Sequence, residues 1–244
     1  MIKNKFWEKL DYILEWNKNS SEIIIFVHWF LSDLNEWFDL FKDISKELKQ
    51  DFLILRFSQS GCWKSQWEEK ELNIKKSAGD LEGILEFVQK NFSSKKINII
   101  AHSMWNYITS LANPKNIKNT IFTWIPKLDT KKMVEKLIWR IKAWWNKINK
   151  NWITYYKRTS WKINELWPSL WEELEKFDFV SNIKNYSKNT NLIIFKPLQD
   201  EVVWKIEKEK IKELNYLEIN WDHNFSKKED KKILIQNIKN ILIK

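Results

Sequence analysis

Apolar residues along this chain alternate between short, β-prone runs and longer stretches with helical spacing. Residues 10–15 and 22–28 are two short apolar runs joined by a polar turn, which we expect to form a hairpin entering a sheet. Residues 36–49 repeat apolar positions at helical spacing, and residues 52–57 form the next apolar strand. The start of the chain therefore has a strand–helix–strand rhythm.

The same rhythm continues through the middle of the chain. The pattern predicts a helix over residues 72–91, a strand over 97–101, a helix from about Met104 and a strand over 120–124. Strands that alternate with helices are typical of a mostly parallel central sheet flanked by helices on both faces. The predicted fold class is therefore α/β.

Between residues 126 and 180 the rhythm stops, and the segment is rich in lysine, tryptophan and tyrosine without a buried-strand signal. We interpret it as a helical insertion. The rhythm resumes with a strand over 191–195, a helix around 205–214, a strand over 216–219 and a closing helix from about Glu229. A length of 244 residues with 43% hydrophobic content indicates one domain that contains the insertion.

The lack of a predicted targeting signal and the presence of a single cysteine favour a cytoplasmic protein. The first twenty residues carry no apolar core of a signal peptide, and nowhere do about 18 apolar residues run together as a spanning helix requires. We therefore expect no stable membrane insertion. A single cysteine, Cys62, excludes an intrachain disulfide and fits a reducing compartment.

The net charge of +10 raises nucleic acid or an anionic membrane as a partner. Only three of the 42 basic residues are arginine (Arg56, Arg140 and Arg158), and lysine is poorly suited to bidentate recognition of bases or phosphates. The lysines are dispersed along the chain, whereas a nucleic-acid or membrane-surface module would cluster them on one face. We therefore interpret the charge as a solvated surface and expect no nucleic-acid partner.

The chain contains seventeen tryptophans and only three glycines, although glycine averages about 7% of residues. Several tryptophans, including Trp16 and Trp63, stand where turn chemistry calls for glycine. Our hypothesis is a translation artefact, in which UGA is read as tryptophan in a gene whose host reads it as glycine. The alternative is that all seventeen are real and line an aromatic core. Some can be genuine in either case, and Trp171 fits a helix face.

Ser103 lies between an apolar strand and a predicted helix, in the sequence Ala101-His102-Ser103-Met104-Trp105. With glycine at position 105 this is the context of a nucleophile elbow, whose sharp turn raises the serine hydroxyl above the sheet. Trp105 as written would clash there. The competing interpretation is a serine that caps the predicted helix.

His28 ends a predicted strand and is followed by Trp29 and Phe30. With glycine at position 29, this turn lets the backbone amide of Phe30 point at a developing oxyanion, with the amide of Met104 as the second donor. His28 itself is expected to shape the loop rather than transfer protons. A buried structural histidine is the alternative.

His223 follows the last predicted strand, directly after Trp221 and Asp222. A neutral imidazole at the carboxyl end of a strand can accept the serine proton, which makes His223 the candidate general base. With glycine at position 221 the turn before it is again of the expected type. A surface histidine without a catalytic role is the alternative.

The acid that orients the histidine should follow the preceding strand, and Asp200 has this position. A carboxylate there would fix the histidine tautomer and stabilise the imidazolium. Glu201 is the neighbour most easily confused with it, and Asp178 at the end of the insertion is a weaker alternative.

These segments resemble the α/β-hydrolase superfamily over nearly the whole chain. Residues 57–67 resemble the R-G-x-G-x-S-x-G loop of its serine aminopeptidase, monoacylglycerol lipase and feruloyl-esterase-like branch. The resemblance implies a carboxylesterase-like serine hydrolase, in which Ser103 attacks the acyl carbonyl of a small to medium ester or thioester and water releases the acid. Ala101 departs from the first glycine of the family's elbow motif. If Trp29, Trp105 and Trp221 are truly tryptophan, the resemblance implies a dead site.

Three functions remain open from the sequence. Ester or thioester hydrolysis leads, with residues 126–180 as a cap over an apolar acyl pocket. Amide cleavage by a peptidase-type relative uses the same triad, and a noncatalytic binding protein would keep the fold with a blocked elbow. No cofactor is expected, and the three histidines and the cysteine are too dispersed to predict a metal site. The partner we expect is a small-molecule acyl substrate, and the sequence makes no prediction of oligomeric state.

Overall fold

The computed structural model describes residues 1–243 except 16, 18, 29–31, 67, 69–72, 126–127, 144–146, 158–162, 200–207, 223–224 and 226, and it describes only the backbone of 140, 143, 156, 157, 164 and 208. The strands are β1 (Ile2–Lys3), β2 (Lys9–Leu10), β3 (Tyr12–Glu15), β4 (Glu22–Val27), β5 (Leu53–Phe57), β6 (Lys96–Ala101), β7 (Ile117–Phe122), β8 (Thr154–Lys157), β9 (Ile163–Leu166), β10 (Asn191–Pro197) and β11 (Asn215–Ile219). The helices are α1 (Leu40–Leu48), α2 (Ile74–Asn91), α3 (Trp105–Ala112), α4 (Thr130–Ala143), α5 (Pro168–Lys176), α6 (Phe179–Tyr186) and α7 (Lys228–Leu242).

Seven strands form the central sheet, in the order β11-β10-β7-β6-β4-β5-β3. All neighbours in it are parallel except β3, which pairs antiparallel with β5. Helices cover both faces. The predicted α/β fold with a mostly parallel sheet is therefore confirmed.

The predicted hairpin of residues 10–15 and 22–28 is wrong. β3 and β4 follow one another in the chain, but β5 lies between them in the sheet. The burial of β4 explains this placement, because its residues from Ile23 to Val27 are all buried and a strand that is apolar on both faces belongs in the sheet interior. β3 is only half-buried and suits the edge.

Alternating residues of β4 fill two separate cores. Ile23, Ile25 and Val27 pack on one face, where α2 and α3 cover the sheet. Ile24 and Phe26 pack on the other, under α1 and α7. The period-two alternation of a strand sends successive side chains to opposite faces, so this one continuous apolar run supplies both cores.

A row of polar side chains crosses the sheet near the amino ends of its strands. Glu22 of β4 accepts a hydrogen bond of 2.8 Å from Asn98 of β6, and Asn98 accepts one of 2.8 Å from Asn119 of β7. Asn119 in turn accepts one of 2.9 Å from Asn191 of β10. Four neighbouring strands are thereby joined through their side chains as well as their backbones.

The insertion is less helical than the sequence pattern predicts. It contains α4 and α5, but also the antiparallel pair β8–β9, with Tyr155 opposite Glu165. These strands have only four residues each and are partly exposed, so they lack the apolar run by which buried strands are predicted. Of the helix expected around 205–214, the described residues form a single 3₁₀ turn over 208–210. Among the described helices, none combines the length and the apolarity that crossing a bilayer demands.

Candidate active site

The parallel strands bring six chain segments to one edge of the sheet. Strands β4, β5, β6, β7, β10 and β11 run in the same direction, so the residues after each of them emerge side by side. Ser103 follows β6, which lies near the middle of the sheet, and the segments predicted to hold the acid and the base follow β10 and β11. In open α/β sheets this edge is where ligands bind.

Ser103 lies in a sharp turn between β6 and α3, and its side chain is buried. Its φ of 59° places it in the left-handed region, which non-glycine residues rarely adopt and which costs about 1 kcal/mol or more. The turn is closed by a hydrogen bond of 3.1 Å from the Asn106 amide to the Ser103 carbonyl. This is the strained strand-to-helix turn that a nucleophile elbow requires.

Ser103 does not cap the helix, as the competing interpretation required. The residue that precedes α3 is Met104, and no side chain forms a capping hydrogen bond there. The amides at a helix start lack intrahelical partners, and that of Met104 belongs to this group. Its position beside Ser103 is where the sequence predicts an oxyanion donor.

His28 is fully buried directly after β4. Its Nε2 atom accepts a hydrogen bond of 3.0 Å from the backbone amide of Gln59, and its ring lies edge-on to Trp105 with 6.1 Å between centroids. An imidazole nitrogen that accepts from a backbone amide carries no proton, so the neutral ring has its proton on Nδ1. His28 thus links the loop after β4 to the loop after β5.

His102 links the turn that holds Ser103 to the neighbouring strand β7. Its Nδ1 lies 2.8 Å from the hydroxyl of Thr123, and its backbone amide donates to the Val27 carbonyl over 3.2 Å. The Thr123 amide donates to the Ala101 carbonyl over 3.0 Å. The residue before Ser103 is therefore held from both neighbouring strands.

The two loops predicted to carry the acid and the base are joined by a backbone hydrogen bond. The amide of Gln199, the residue before Asp200, donates to the carbonyl of Trp221 over 3.1 Å. Trp221 stands two residues before His223 and is buried. The described neighbours of the predicted acid and base thus lie together.

Phe225 connects the segment after β11 to the turn that holds Ser103. Its ring packs against Trp221 with 5.3 Å between centroids and against His102 with 6.2 Å. Trp221 and Phe225 flank His223 in sequence, and His102 directly precedes Ser103. The chain around the predicted base therefore lies against the segment that bears the predicted nucleophile.

Asp200, Glu201, His223, Trp29 and Phe30 lie outside the described residues. Asp178, the weaker alternative for the acid, is exposed and caps α6 through a hydrogen bond of 3.0 Å from the Ser181 amide. Hydrogen bonds from the Ser181 hydroxyl and amide hold the pKa of the Asp178 carboxyl below its usual range. In the described part of the chain, no group of three or more His, Cys, Asp or Glu side chains is placed to hold a metal ion.

Three residues at this edge are absent from the sequence predictions: Gln59, Thr123 and Phe225. Gln59 and Thr123 are polar residues directly beyond apolar strands, and both are fully buried. Their burial distinguishes Gln59 and Thr123 from ordinary loop residues, and this burial can be seen in the structure but not in the sequence. Phe225 has a φ of 51°, a further residue in the left-handed region at this edge.

Comparison with known proteins agrees with this architecture. Residues 5–128 match the model of a family described as alpha/beta hydrolase of unknown function (DUF900). No curated protein matches the sequence. The family match covers β2 to β7 and includes the turn that holds Ser103.

Solved structures with the same fold include several esterases. Est1E from Butyrivibrio proteoclasticus, solved with ferulic acid bound, has a TM-score of 0.78 at 16% identity, over 100% of this chain and 98% of that one. The esterase Pf2001 from Pyrococcus furiosus has a TM-score of 0.70 at 15% identity, over 98% and 88%. A putative hydrolase from Agrobacterium vitis has a TM-score of 0.71 at 15% identity, over 96% and 93%. At these identities the likeness concerns the fold.

Proposed function

The chain belongs to the alpha/beta hydrolases of unknown function DUF900, and we propose that it is a serine hydrolase that cleaves a carboxylic ester or thioester of a small to medium acyl substrate. Ser103 is the proposed nucleophile, His223 the general base and Asp200 the acid. The left-handed turn of Ser103 between β6 and α3 supports the first of these roles.

One chain of contacts carries the proposal. Gln199 bonds to Trp221, Trp221 packs on Phe225, and Phe225 packs on His102. Each of these residues lies within two positions of a proposed triad member. Described residues that flank the acid, the base and the nucleophile therefore lie in contact, as the order serine, acid, histidine in this fold requires.

The proposed reaction is acyl transfer to Ser103 followed by hydrolysis. His223 removes the hydroxyl proton as the Ser103 oxygen attacks the acyl carbonyl, and it then protonates the leaving oxygen or sulfur. Asp200 holds the imidazole in the required tautomer. The amides of Phe30 and Met104 stabilise the tetrahedral oxyanion, and water repeats the sequence to release the acid and restore Ser103.

The proposed active form has glycine at positions 29, 105 and 221. Trp7 and Trp63 support recoding, because their φ angles are 65° and 52° and both side chains are exposed, so burial does not compensate for the left-handed backbone. Trp105 is buried, and its indole N–H has no hydrogen-bond partner among the described residues, but the same holds for Trp171, so this feature does not separate recoded from genuine tryptophans.

Residues 126–180 are proposed as the cap over the acyl pocket. Thr130 near the start of this insertion donates a hydrogen bond of 2.7 Å to the Phe177 carbonyl near its end. This bond holds the two ends of the insertion together. The ring of Tyr107 in α3 packs at a tilt against that of Phe177, and its hydroxyl donates to the Met133 sulfur over 3.2 Å. Because α3 begins two residues after Ser103, these contacts support a cap beside the elbow.

The test is covalent labelling by a fluorophosphonate, which an activated serine attacks at phosphorus with loss of fluoride. The chain with glycine at 29, 105 and 221 is compared with its Ser103→Ala variant and with the chain as printed. We expect labelling of the glycine form alone. Labelling in the Ser103→Ala variant would contradict the assignment, and absence of labelling in every form would favour the noncatalytic binding protein. Parallel assays on an ester and the matching amide separate esterase from peptidase-type activity.

A further inference from the structure

The side chain of Gln59 ends in a fully buried carboxamide. Its side chain has no exposed surface, and neither Nε2 nor Oε1 has a hydrogen-bond partner among the described residues. A buried polar group without a partner costs about 1–3 kcal/mol. Leucine of similar volume would avoid this cost, so the side-chain amide calls for a partner that the described residues do not supply.

The backbone around Gln59 is fixed on every side. The amide of Ser58 donates to the Asp11 carbonyl over 2.8 Å, that of Gln59 to His28 Nε2 over 3.0 Å, and that of Ser60 to the Asp80 carboxylate over 2.8 Å. Three consecutive amides are thus anchored to three different segments. A residue held this way is pre-organised, which is what a specificity contact requires.

Gln59 stands at the same edge as Ser103, on the acyl side of the proposed site. β5 pairs with β4, so Gln59 emerges beside the loop of His28 that leads to the predicted oxyanion donor. A general base must return its proton to the leaving group, which places the leaving group toward β10 and β11. β4 and β5 lie on the other side of β6, so the acyl chain extends toward them.

We propose that Gln59 is a specificity-determining residue that binds a hydroxyl group on the acyl chain of the substrate, close to the scissile carbonyl. A hydroxyl both donates and accepts, which matches Oε1 and Nε2 together. A charged group would face a costly transfer into this buried place. The inference rests on the proposed hydrolase function and narrows its substrate class to esters or thioesters of short hydroxy acids.

The test uses the form with glycine at positions 29, 105 and 221 and compares substrates that differ only in this hydroxyl. p-Nitrophenyl lactate and p-nitrophenyl isobutyrate place a hydroxyl or a methyl on the same carbon, and p-nitrophenyl 3-hydroxybutyrate and isovalerate do so one carbon further. We expect kcat/KM to favour one hydroxylated member by about tenfold or more, and Gln59→Leu to abolish that preference while changing the alkyl ester less than about threefold. Gln236→Leu, on the exposed face of α7, is the matched control and should change neither.

A ratio near one in the form with glycine at positions 29, 105 and 221, or a preference that survives in its Gln59→Leu variant, would overturn the proposal. Thermal shifts of the Ser103→Ala variant with methyl lactate and methyl isobutyrate separate this failure from failure of the proposed function. One outcome is that no substrate is turned over, that methyl lactate raises the unfolding temperature more than methyl isobutyrate does, and that Gln59→Leu removes this difference. This outcome would reject the hydrolase function and retain the Gln59 site. Equal shifts in a chain that does not turn over would reject both.

Discussion

Ser60 holds the buried carboxylate of Asp80 through two hydrogen bonds, 2.8 Å from its backbone amide and 2.7 Å from its hydroxyl. Asn4 adds a third, of 2.8 Å, and nearby Lys76 and Glu8 form an ion pair of 2.9 Å. This cluster joins the N-terminal hairpin β1–β2, helix α2 and the loop that carries Gln59. Burial nevertheless raises the pKa of Asp80 to about 6, and the hydrogen bonds from Ser60 and Asn4 only partly oppose it.

The first prediction concerns pH. Because the folded chain binds the Asp80 proton more tightly than the unfolded chain does, this group stabilises the fold fully below about pH 4, and that contribution is lost as pH rises to about 6. The loss amounts to about 3 kcal/mol. Urea unfolding of wild type and Asp80→Asn at pH 4, 5 and 7 measures it, since asparagine does not titrate. A difference between the two proteins that stays constant with pH would contradict the assignment.

The second prediction uses two glycines of α2. A Cβ at Gly83 would lie 2.5 Å from the Lys3 carbonyl oxygen and 2.6 Å from the Asn4 Cα, both backbone atoms of the N-terminal hairpin. At Gly79 it would meet the ring of half-exposed Phe6 at 2.8 Å, which can rotate away. We expect Gly83→Ala to lower the free energy of unfolding by about 2 kcal/mol. Gly79→Ala should be neutral or stabilising by up to about 1 kcal/mol, and equal effects would show that the hairpin does not press on α2.

The third prediction tests the backbone evidence for recoding. Trp63 and Trp139 have equally exposed side chains, but Trp63 has a φ of 52° while Trp139 lies within α4. Trp63→Gly should raise the free energy of unfolding by about 1 kcal/mol by relieving the left-handed conformation. Trp139→Gly should lower it by about 1 kcal/mol through lost helix propensity. Thermal or urea unfolding of both variants measures these changes. A lower free energy of unfolding in Trp63→Gly would remove the backbone support for recoding.

The fourth prediction concerns the polar row across the sheet. Asn98→Ala leaves the carboxylate of Glu22 and the amide of Asn119 each without one partner, in a place where Asn98 itself is fully buried. We expect the free energy of unfolding to fall by about 2 kcal/mol. Asn237→Ala is the control, because the Asn237 side chain donates to the Ile233 carbonyl of its own helix. This substitution should change the free energy of unfolding by only about a few tenths of a kcal/mol. Equal effects would show that the row contributes nothing beyond the backbone ladder.

The fifth prediction concerns Phe225. Phe225→Leu should slow fluorophosphonate labelling of the glycine form by about tenfold. The substitution removes the Phe225 ring, whose packing against His102 positions the loop that carries His223. The readout is the labelling rate well below the unfolding temperature. Phe38→Leu, at an exposed position, is the control. An unchanged rate in Phe225→Leu would mean that the packing does not position the base.

The sequence predicts the site best where short-range pattern and strand direction suffice. The apolar run before Ser103 predicts β6, and parallel strands necessarily deliver their following residues to one edge. Pairing order is a long-range property, which explains why the hairpin of β3 and β4 is wrong. Gln59 stands in a Ser-Gln-Ser segment that is typical of an exposed loop, and its burial follows from Asp80 and His28, which are distant in the chain.

The polar row from Glu22 to Asn191 fixes the register of four strands at the end of the sheet away from Ser103. Strand alignment is therefore secured without help from the loops at the opposite edge. Those loops are free to change length and sequence while the framework beneath them keeps its alignment. The sheet is therefore a scaffold on which new substrate preferences can evolve, or be engineered, by changing one loop at a time.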